Sequence, residues 1–540
     1  MRLLGEFCML FDRVKPLDAI LETAEKKGLH RTLGAFQLTM LGIGAVIGTG
    51  IFVLTSEAAQ KAGPGMLLSF IVAGFVCAVA ALCYSELASM VPVSGSAYTY
   101  TYAVVGELLA WMVGWALILE YAVGASAVAV GWSNHAVGLL KGLGINFPAA
   151  LSNADALMAK VQLAFGAKPS PDLTTALQVG GWINVPAIII SGLVTWLLII
   201  GTTESARVNA VLVAIKIAAL TAFIFLTVPV LNADNFHPFM PTGATGVMGA
   251  AASIFFAYVG FDAVSTAAEE TKNPQRNVPI GLIASLFICT LFYLLVASGA
   301  IGAIGAQPQM TAGVPLAPGS AEMAGRCASV VASGALEPLV CSKEALVHVL
   351  DTIGWHKIGR LVGLAAVLAL PSVVLMMMFG QTRVFFTMAR DGLLPEKLAS
   401  VHPRYRTPHV VTIVTGIGAT VAAAVLPVGK LADYSNSGTL FAFLMVAVSV
   451  MVLRKINPDR HRPFRTPMVW IVAPLAIIGC IYLYISLPWT AILVLPGWGI
   501  IGLAIYFLYS RSRSHVGRGV VDVPEEEAYH GTEPPQPGTV

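Results

Sequence analysis

Two long apolar stretches of this chain are interrupted by glycine where a membrane helix would have its middle. The first reads Leu-Gly-Ile-Gly-Ala-Val-Ile-Gly-Thr-Gly-Ile over residues 41–51, and the second reads Phe-Phe-Ala-Tyr-Val-Gly-Phe-Asp-Ala-Val over residues 255–264. In hydrocarbon, each peptide group freed by a helix break costs several kcal/mol unless it faces protein, water or a ligand. Paired breaks in the two halves of a chain are typical of a transporter's binding site. The pair therefore predicts a membrane transport protein.

The composition excludes an ordinary soluble protein. Of the 540 residues, 56% are hydrophobic and 11% are charged, whereas soluble domains carry about 25% charged residues. The net charge of +3 is small, and no basic face interleaved with aromatic residues is apparent, so no nucleic-acid partner is expected. The expected surroundings are a lipid bilayer.

Twelve stretches are long and apolar enough to be spanning helices, which need about 20 apolar residues. Spans 1 to 12 have the approximate bounds 34–58, 66–89, 107–134, 183–201, 206–231, 247–270, 279–303, 358–388, 408–427, 431–453, 467–487 and 489–510.

The first ten spans divide into two sets of five. Spans 1–5 occupy residues 34–231, spans 6–10 occupy 247–453, and each set begins with a glycine-broken span. Because five is odd, the second set crosses the membrane in the opposite direction, which predicts an inverted repeat. Spans 11 and 12, within 467–510, lie outside the repeat.

Lysine and arginine are more frequent in the flanks that an N-terminus-inside arrangement places in the cytoplasm. Both termini are therefore predicted to be cytoplasmic, with long outer loops over 135–182 and 304–357. Residues 1–33 form a cytoplasmic segment in which 17–28 is either an amphipathic surface helix or a solvated leader. Residues 511–540, rich in Pro, Gly and Glu, are predicted to be a disordered cytoplasmic tail.

Cys327 and Cys341 share one predicted outer loop, where a disulfide can form. A disulfide and two free thiols both remain open at this stage. No Cys/His spacing typical of a metal site occurs, and no cofactor is expected.

The first glycine run predicts half of a binding site. If the helix stops near Gly44 and restarts near Gly50, the N–H groups around Gly48, Thr49 and Gly50 form the positive end of a new helix. Such an end suits a carboxylate, and the carbonyl groups left near Val46 suit a cation. Together they match an amino acid zwitterion. The alternative is that the glycines only allow close helix packing.

The second break predicts the other half of the site. The freed carbonyl groups of Ala257, Tyr258 and Val259, before Gly260, are placed to accept an ammonium group, and Phe256 is placed to cover a bound substrate. Asp262 is an intramembrane acid, which is a functional candidate by default. The alternative, favoured here, is that Asp262 caps the second half-helix.

Lys216 and Glu120 are further charges predicted inside the membrane. A buried lysine that alternates between its charged and neutral forms can couple proton movement to transport. When charged it can also occupy the place of a sodium ion. The alternative is a permanently paired structural lysine, with Glu120 as partner. Glu120 itself could attract a basic substrate, join a proton relay or neutralise another charge.

Several segments resemble a known family. Residues 42–65 resemble the first-helix signature of the amino acid–polyamine–organocation superfamily. Residues 255–282 (FFAYVGFDAVSTAAEETKNPQRNVPIGL) resemble the sixth-helix signature of its cationic amino acid transporter family, and 85–107 and 380–395 fit the same family. The resemblance covers most of 30–510 and, with twelve spans, indicates a bacterial member.

The resemblance implies an all-α integral membrane fold of the LeuT-like 5+5 inverted-repeat type with broken helices 1 and 6. A bundle of helices 1, 2, 6 and 7 would move against a scaffold of helices 3, 4, 8 and 9. By motif position, the implied substrate contacts are Val46, Thr49, Gly50, Phe256 and Val259.

The resemblance also implies a coupling site. Lys216 matches a fifth-helix lysine that replaces sodium in proton-coupled members, with Gly44 and Ser372 as its implied partners. Pro371 stands beside the position where relatives tune the size of the pocket, so the identity of the substrate stays open.

The sequence thus predicts a proton-coupled permease for cationic or neutral L-amino acids in a bacterial inner membrane. An exchanger and a sodium-driven symporter are the nearest alternatives. A membrane sensor that binds amino acids without transporting them is a third. An enzyme is not expected, because no nucleophile with a positioned base is apparent.

Overall fold

The computed structural model describes residues 13–17, 33–91, 96–166, 168–201, 206–268, 271–311, 313–405 and 407–519. The predicted helix over 17–28 and most of the predicted tail over 511–540 lie outside these residues. The described chain is mainly α-helical. Two antiparallel strand pairs are also present, Ser152–Asn153 (β1) with Ile183–Asn184 (β2) and Met310–Thr311 (β3) with Val314–Pro315 (β4).

The α-helices are numbered in chain order. They are α1 (Ala35–Val46), α2 (Thr49–Phe52), α3 (Leu54–Ala62), α4 (Met66–Met90), α5 (Ser96–Val104), α6 (Glu107–Gly142), α7 (Asp155–Ala164), α8 (Pro171–Val179), α9 (Val185–Ile200), α10 (Ala206–Thr227), α11 (Gly243–Ile254), α12 (Ala263–Thr266), α13 (Pro274–Ile304), α14 (Ala321–Ala332), α15 (Ala345–Thr352), α16 (His356–Arg390), α17 (His409–Val425), α18 (Val428–Ile456), α19 (Val469–Ile485), α20 (Trp489–Ile505) and α21 (Arg511–Arg513).

Many of these helices suit a bilayer. Seven helical stretches of the described chain are long and apolar enough to cross a membrane: Leu54–Met90, Glu107–Gly142, Val208–Val230, Pro274–Ile304, His356–Arg390, Val428–Ile456 and Trp489–Arg513. Shorter apolar helices are Ala35–Val46, Val185–Ile200, Gly243–Tyr258, His409–Val425 and Val469–Ile485. Because backbone groups in hydrocarbon must be bonded within the chain, helix is the form that such apolar runs adopt in a membrane.

Both predicted helix breaks are present. The first separates α1 from α2 at Ile47, which has extended backbone angles (φ −72°, ψ 95°). The second follows α11, where a single 3₁₀ segment (Phe255–Tyr258) leads into extended Val259. Gly260 then has φ +113°, in a region that is costly for residues with a Cβ atom.

The long helices pack in two groups. In the first group, α13 packs against α1 and α4, and α4 also packs against α11. In the second, α6 packs against α16, and α9 packs against α17. The first group contains the predicted spans 1, 2, 6 and 7, and the second contains spans 3, 4, 8 and 9. The two glycine breaks therefore belong to one packing group.

The two predicted outer loops fold together into a cap over one end of the bundle. The cap has a small core of its own, which includes Leu173 and Ala321. Arg326 and Asp172 form an ion pair across it at 3.1 Å. A disulfide joins Cys327 to Cys341, which answers the question that their spacing left open.

The opposite end of the bundle carries both ends of the described chain. Arg13 lies 3.2 Å from the Glu107 carboxylate and donates a hydrogen bond to the carbonyl of Arg511. Lys15 pairs with Asp391 at 2.8 Å. Residues 13 and 511 are therefore on the same side of the bundle.

Candidate functional site

The two helix breaks lie against each other at glycine. A Cβ atom at Gly50 would overlap the Cα and Cβ atoms of Ala257. A Cβ atom at Gly260 would lie 3.1 Å from the backbone of Ala45. Close packing is thus one reason for these glycines, as the alternative interpretation proposed. The contact also brings the two sets of freed peptide groups to one place.

Tyr293 on α13 occupies the predicted cation-binding carbonyl groups. Its hydroxyl oxygen lies 2.8 Å from the carbonyl oxygen of Val46 and 2.8 Å from that of Ala257. A hydroxyl has one proton to donate, so it serves one of the two carbonyl groups at a time. Sequence reasoning missed Tyr293, although a tyrosine within an apolar span needs a partner for its hydroxyl group.

Lys216 on α10 reaches the end of α1. Its side chain is 1% exposed, and its Nζ donates to the carbonyl oxygen of Gly44 at 2.8 Å. In an unbroken helix this carbonyl would accept from the N–H of residue 48. A Cβ atom at Gly44 would lie 2.8 Å from Val213 of α10. Glycine at this position therefore allows α10 to approach α1 closely.

Ser372 and Pro371 lie within α16, which continues through the proline. The Ser372 hydroxyl donates to the carbonyl of Ala369 at 2.8 Å. A proline removes the bond to the carbonyl four residues earlier, which here belongs to Val367. That carbonyl accepts from the indole N–H of Trp132 at 2.9 Å. The freed oxygen therefore joins α6 to α16.

Phe256 connects the second break to the other packing group. Its ring is 5% exposed and lies 3.6 Å from the position that a Cβ atom would have at Gly124 on α6. Ser435 of α18 lies beside the same glycine, 3.2 Å from that position. Phe256 is thus buried where the breaks meet α6 and α18.

The other predicted contacts lie on the same two breaks. Gly48 faces Val373 of α16, because a Cβ atom added at Gly48 would lie 3.4 Å from the Val373 side chain. Thr49 begins α2. Val259 is buried and has extended backbone angles. The structure therefore brings the predicted residues of both breaks into one region next to α16.

Glu120 lies one helical turn before Gly124. It is fully buried, its Cβ lies 3.4 Å from a Cβ position at Gly438 of α18, and its carbonyl accepts from Ser435. Asp262 interacts electrostatically with it. Glu120 therefore faces α18 and a second acid.

The prediction that Asp262 caps the second half-helix is wrong. Asp262 is the residue before α12, but its side chain makes no capping hydrogen bond. Its carboxylate instead accepts from the Tyr121 hydroxyl at 2.9 Å. A charge-assisted bond to a buried hydroxyl stabilises the carboxylate, and it links the second break to α6.

A polar cluster lies between the breaks and the cap. The ammonium group of Lys61 on α3 is 3.3 Å from the carboxylate of Asp433 on α18. The Ser253 hydroxyl on α11 makes short hydrogen bonds to both groups. The outer halves of both broken helices are thus joined to α18. Asp433 inside a predicted span was the sequence signal for this cluster.

Two abutting helix breaks within a bundle of apolar helices are the arrangement typical of a membrane transport site. The comparison with known proteins is more specific. The chain belongs to the amino acid permease family, whose model matches residues 33–506. It is therefore a multi-pass membrane protein of amino acid transport.

Individual relatives agree with this assignment. The branched-chain amino acid permease BcaP of Bacillus subtilis is 43% identical over 501 residues, which are 93% of this chain and 97% of the relative. The methylthioribose transporter of the same organism is 40% identical, over 93% and 98% of the two chains. The human cationic amino acid transporter 4 is 31% identical, over 84% and 67%. The predicted superfamily and the prediction of a transporter rather than an enzyme are confirmed.

Proposed function

We propose that this chain is a proton-coupled symporter that carries an L-amino acid by alternating access across a bacterial inner membrane, with both termini in the cytoplasm. The proposed architecture is twelve spans with a LeuT-like 5+5 inverted repeat. The two packing groups support it, since each broken helix lies in the group that would move. The observation that carries the proposal is the bond from the Lys216 ammonium group to the freed carbonyl of Gly44.

The proposed binding site uses the peptide groups of both breaks. The substrate carboxylate would accept from the N–H groups of Gly48, Thr49 and Gly50 at the start of α2, and Phe256 would cover the substrate. The substrate ammonium group would donate hydrogen bonds to the carbonyl groups of Val46 and Ala257. The carbonyl group of Val259 would be a further acceptor nearby.

Tyr293 adds a competition to this site. Its single proton leaves one of the Val46 and Ala257 carbonyl groups without a strong donor. A substrate ammonium group carries three donors and would displace or share the hydroxyl contact. Binding would then tie both breaks to one cation. The bound ammonium group would then stabilise the access state in which the carbonyl groups of Val46 and Ala257 lie close together.

The proposed coupling site is Lys216 with Gly44, and with Ser372 as a second partner on the opposite packing group. When Lys216 is charged, it holds the end of α1 through a charge-assisted hydrogen bond, which is stronger than a neutral one. When it loses its proton, the bond weakens and α1 is freer to move relative to α16. Protonation then biases the equilibrium between the two access states.

The proposed substrate is a neutral aliphatic L-amino acid. Val46, Phe256 and Val259 give the break region apolar walls, and a relative of 43% identity is named a branched-chain amino acid permease. A cationic amino acid is the alternative substrate that the test below must distinguish, because the buried carboxyl group of Glu120 would attract a basic side chain. The sugar-like substrate in the name of the second relative is a further competitor to include.

Transport by the purified chain in proteoliposomes tests the proposal. We expect labelled leucine to accumulate when a pH gradient is applied, and a sodium gradient alone to have no effect. Unlabelled leucine should compete, and arginine and methylthioribose should compete weakly. Uptake only against internal amino acid would make the chain an exchanger, and sodium-dependent uptake would make it a sodium symporter. Saturable binding without any flux would indicate a sensor.

A further inference from the structure

A groove of about 770 Å³ opens on the outer surface of the bundle, away from the helix breaks. One wall is the first half of α13, where Ile280, Ile283 and Phe287 are exposed. The facing wall is formed by Pro463 and Phe464, in the segment between α18 and α19. Exposed apolar side chains are normal on a surface that meets lipid. The informative features are therefore the concave shape of the groove and the charged residue at one end of it.

The facing wall is held in place by a buried carboxylate. Glu86 near the end of α4 pairs with Arg454 at 2.7 Å and with Arg462 at 3.1 Å. The same carboxylate accepts from the backbone N–H of Thr466 at 2.8 Å. A buried acid with two guanidinium partners and a backbone donor fixes its neighbours, because loss of any partner is costly. Phe464 lies between two of these anchored residues, so the groove is formed before any ligand arrives.

One charge lies at the end of this groove. Among the described residues that line it, Arg276 carries the only charge. Arg276 lies in the first turn of α13, is exposed, and forms no ion pair with another described residue. The start of α13 adjoins the start of α1, where the backbone N–H of Lys272 donates to the carbonyl of Leu33 at 2.8 Å. The groove lies towards the end of the bundle that carries residues 13 and 511, because Glu86 lies near the end of α4 and Tyr98 of the next helix, α5, donates to Asp391, the partner of Lys15. A charge at that end is expected near the boundary of the membrane.

The groove has the length of one leaflet. Eleven residues separate Arg276 from Phe287, which is about 16 Å along a helix. The hydrocarbon core of a bilayer is about 30 Å thick, so the groove runs from the boundary to about the midplane. A ligand that fits has one negative group at the boundary and one or two acyl chains below it.

We propose that this groove binds an anionic phospholipid of that leaflet. Its phosphate would pair with the Arg276 guanidinium, and an acyl chain would lie between Ile283 and Phe464. A basic side chain near the surface favours an anionic headgroup over a zwitterionic one. Because Arg276 follows the segment that pairs the starts of α1 and α13, the bound lipid lies next to a structural joint of the first packing group.

Lipid retention by the purified full-length chain tests this proposal. The chain is equilibrated in detergent with equal amounts of phosphatidylglycerol and phosphatidylcholine of the same acyl composition, and bound lipid is counted by native mass spectrometry. We expect the wild type to retain phosphatidylglycerol preferentially. We expect Arg276→Gln to reduce its retention about fivefold and to leave phosphatidylcholine retention unchanged. Arg404→Gln is the matched control, because Arg404 is exposed and does not line the groove.

A second variant separates the acyl-chain site from the charge. Ile283→Trp fills the groove and keeps Arg276, and it should lower phosphatidylglycerol retention by a similar factor. Equal retention of both lipids by the wild type would overturn the proposal. So would unchanged retention in Arg276→Gln, or an equal loss in Arg404→Gln. The measurement does not depend on transport, so it stands apart from the proposed symport.

Discussion

The Lys216 ammonium group lies 2.8 Å from the Gly44 carbonyl oxygen and so closes the end of a helix that stops in the middle of the bundle. A charged donor on a freed carbonyl replaces a lost helix hydrogen bond. If Lys216 loses its proton, the Gly44 carbonyl group loses its charged hydrogen-bond donor. We propose that this contact links the protonation state of Lys216 to the position of α1.

Replacing Lys216 by methionine should strongly reduce concentrative uptake. Methionine retains the approximate size of the side chain but cannot donate, so uptake driven by a pH gradient should fall at least about tenfold, since a charged hydrogen bond contributes about 1.5–3 kcal/mol. Exchange of labelled for unlabelled amino acid should fall less, because it needs no net proton movement. Lys141→Met, at an exposed lysine on the last turn of α6, is the control. Full accumulation by the Lys216 variant would remove this residue from the coupling role.

Replacing Tyr293 by phenylalanine should tighten substrate binding. The variant leaves the Val46 and Ala257 carbonyl groups without the hydroxyl donor, at a cost of about 1–3 kcal/mol of stability. A substrate ammonium group would then regain part of that energy, so ligand should raise the melting temperature of the variant more than that of the wild type. Tyr484→Phe serves as the control, since Tyr484 also donates to a backbone carbonyl, that of Ile492. An equal ligand shift in Tyr293→Phe and wild type would contradict the competition.

Much of the helix-break region was predictable, because the physics involved is local. Glycine in mid-bilayer is costly unless the freed groups are used, so the breaks around Gly48 and Gly260 follow from sequence alone. The positions of the breaks need no knowledge of how distant helices approach each other. The lysine at mid-span also needs a partner, but only the family resemblance implied Gly44, which is 172 residues away.

The contacts that could not be predicted depend on tertiary placement. Tyr293 is 247 residues from Val46, and nothing in either local pattern specifies that they meet. The error at Asp262 has the same origin: local capping geometry favours a bond to its own helix, but Tyr121 of α6 offers a donor that only the packed structure brings near. The pairing of Cys327 with Cys341 also depends on how the cap folds.

A side chain at Gly50 should prevent the two breaks from meeting. Gly50→Ala places a Cβ atom on the Ala257 backbone, and overpacking of this kind typically costs about 1–3 kcal/mol. Both the melting temperature and the uptake rate should fall. Gly418→Ala is the matched control, because nothing lies within 4 Å of a Cβ at that position. In the helix α17 it should be neutral or stabilise by up to about 1 kcal/mol.

Glu344, which precedes α15 in the cap, should make stability depend on pH. Burial, with Asp351 nearby as a second cause, raises the pKa of Glu344 from 4.5 to about 8. The folded chain thus holds this proton more tightly than the unfolded chain. The contribution to stability is fully present below pH 4.5 and is lost as the pH rises to about 8.

Glu344→Gln should therefore melt higher than wild type at pH 8.5, with the difference shrinking towards pH 4.5. Glu322→Gln, also in the cap, provides the comparison; a difference that does not change with pH would argue against this assignment.

The ion pairs at the two ends of the bundle should have opposite effects on access. Lys61–Asp433 joins α3 to α18 on the cap side, and Lys15–Asp391 joins the N-terminal segment to the end of α16 on the other side. Breaking one pair removes a contact that holds that end closed, so the population should shift towards the state open at that end. The readout is the rate at which a membrane-impermeant thiol reagent labels a Ser56→Cys variant, since Ser56 lines the cavity of about 510 Å³ beneath the cap. Asp433→Asn should raise this rate several-fold and Asp391→Asn should lower it. Equal rates in the two variants would show that the ion pairs do not control which end is open.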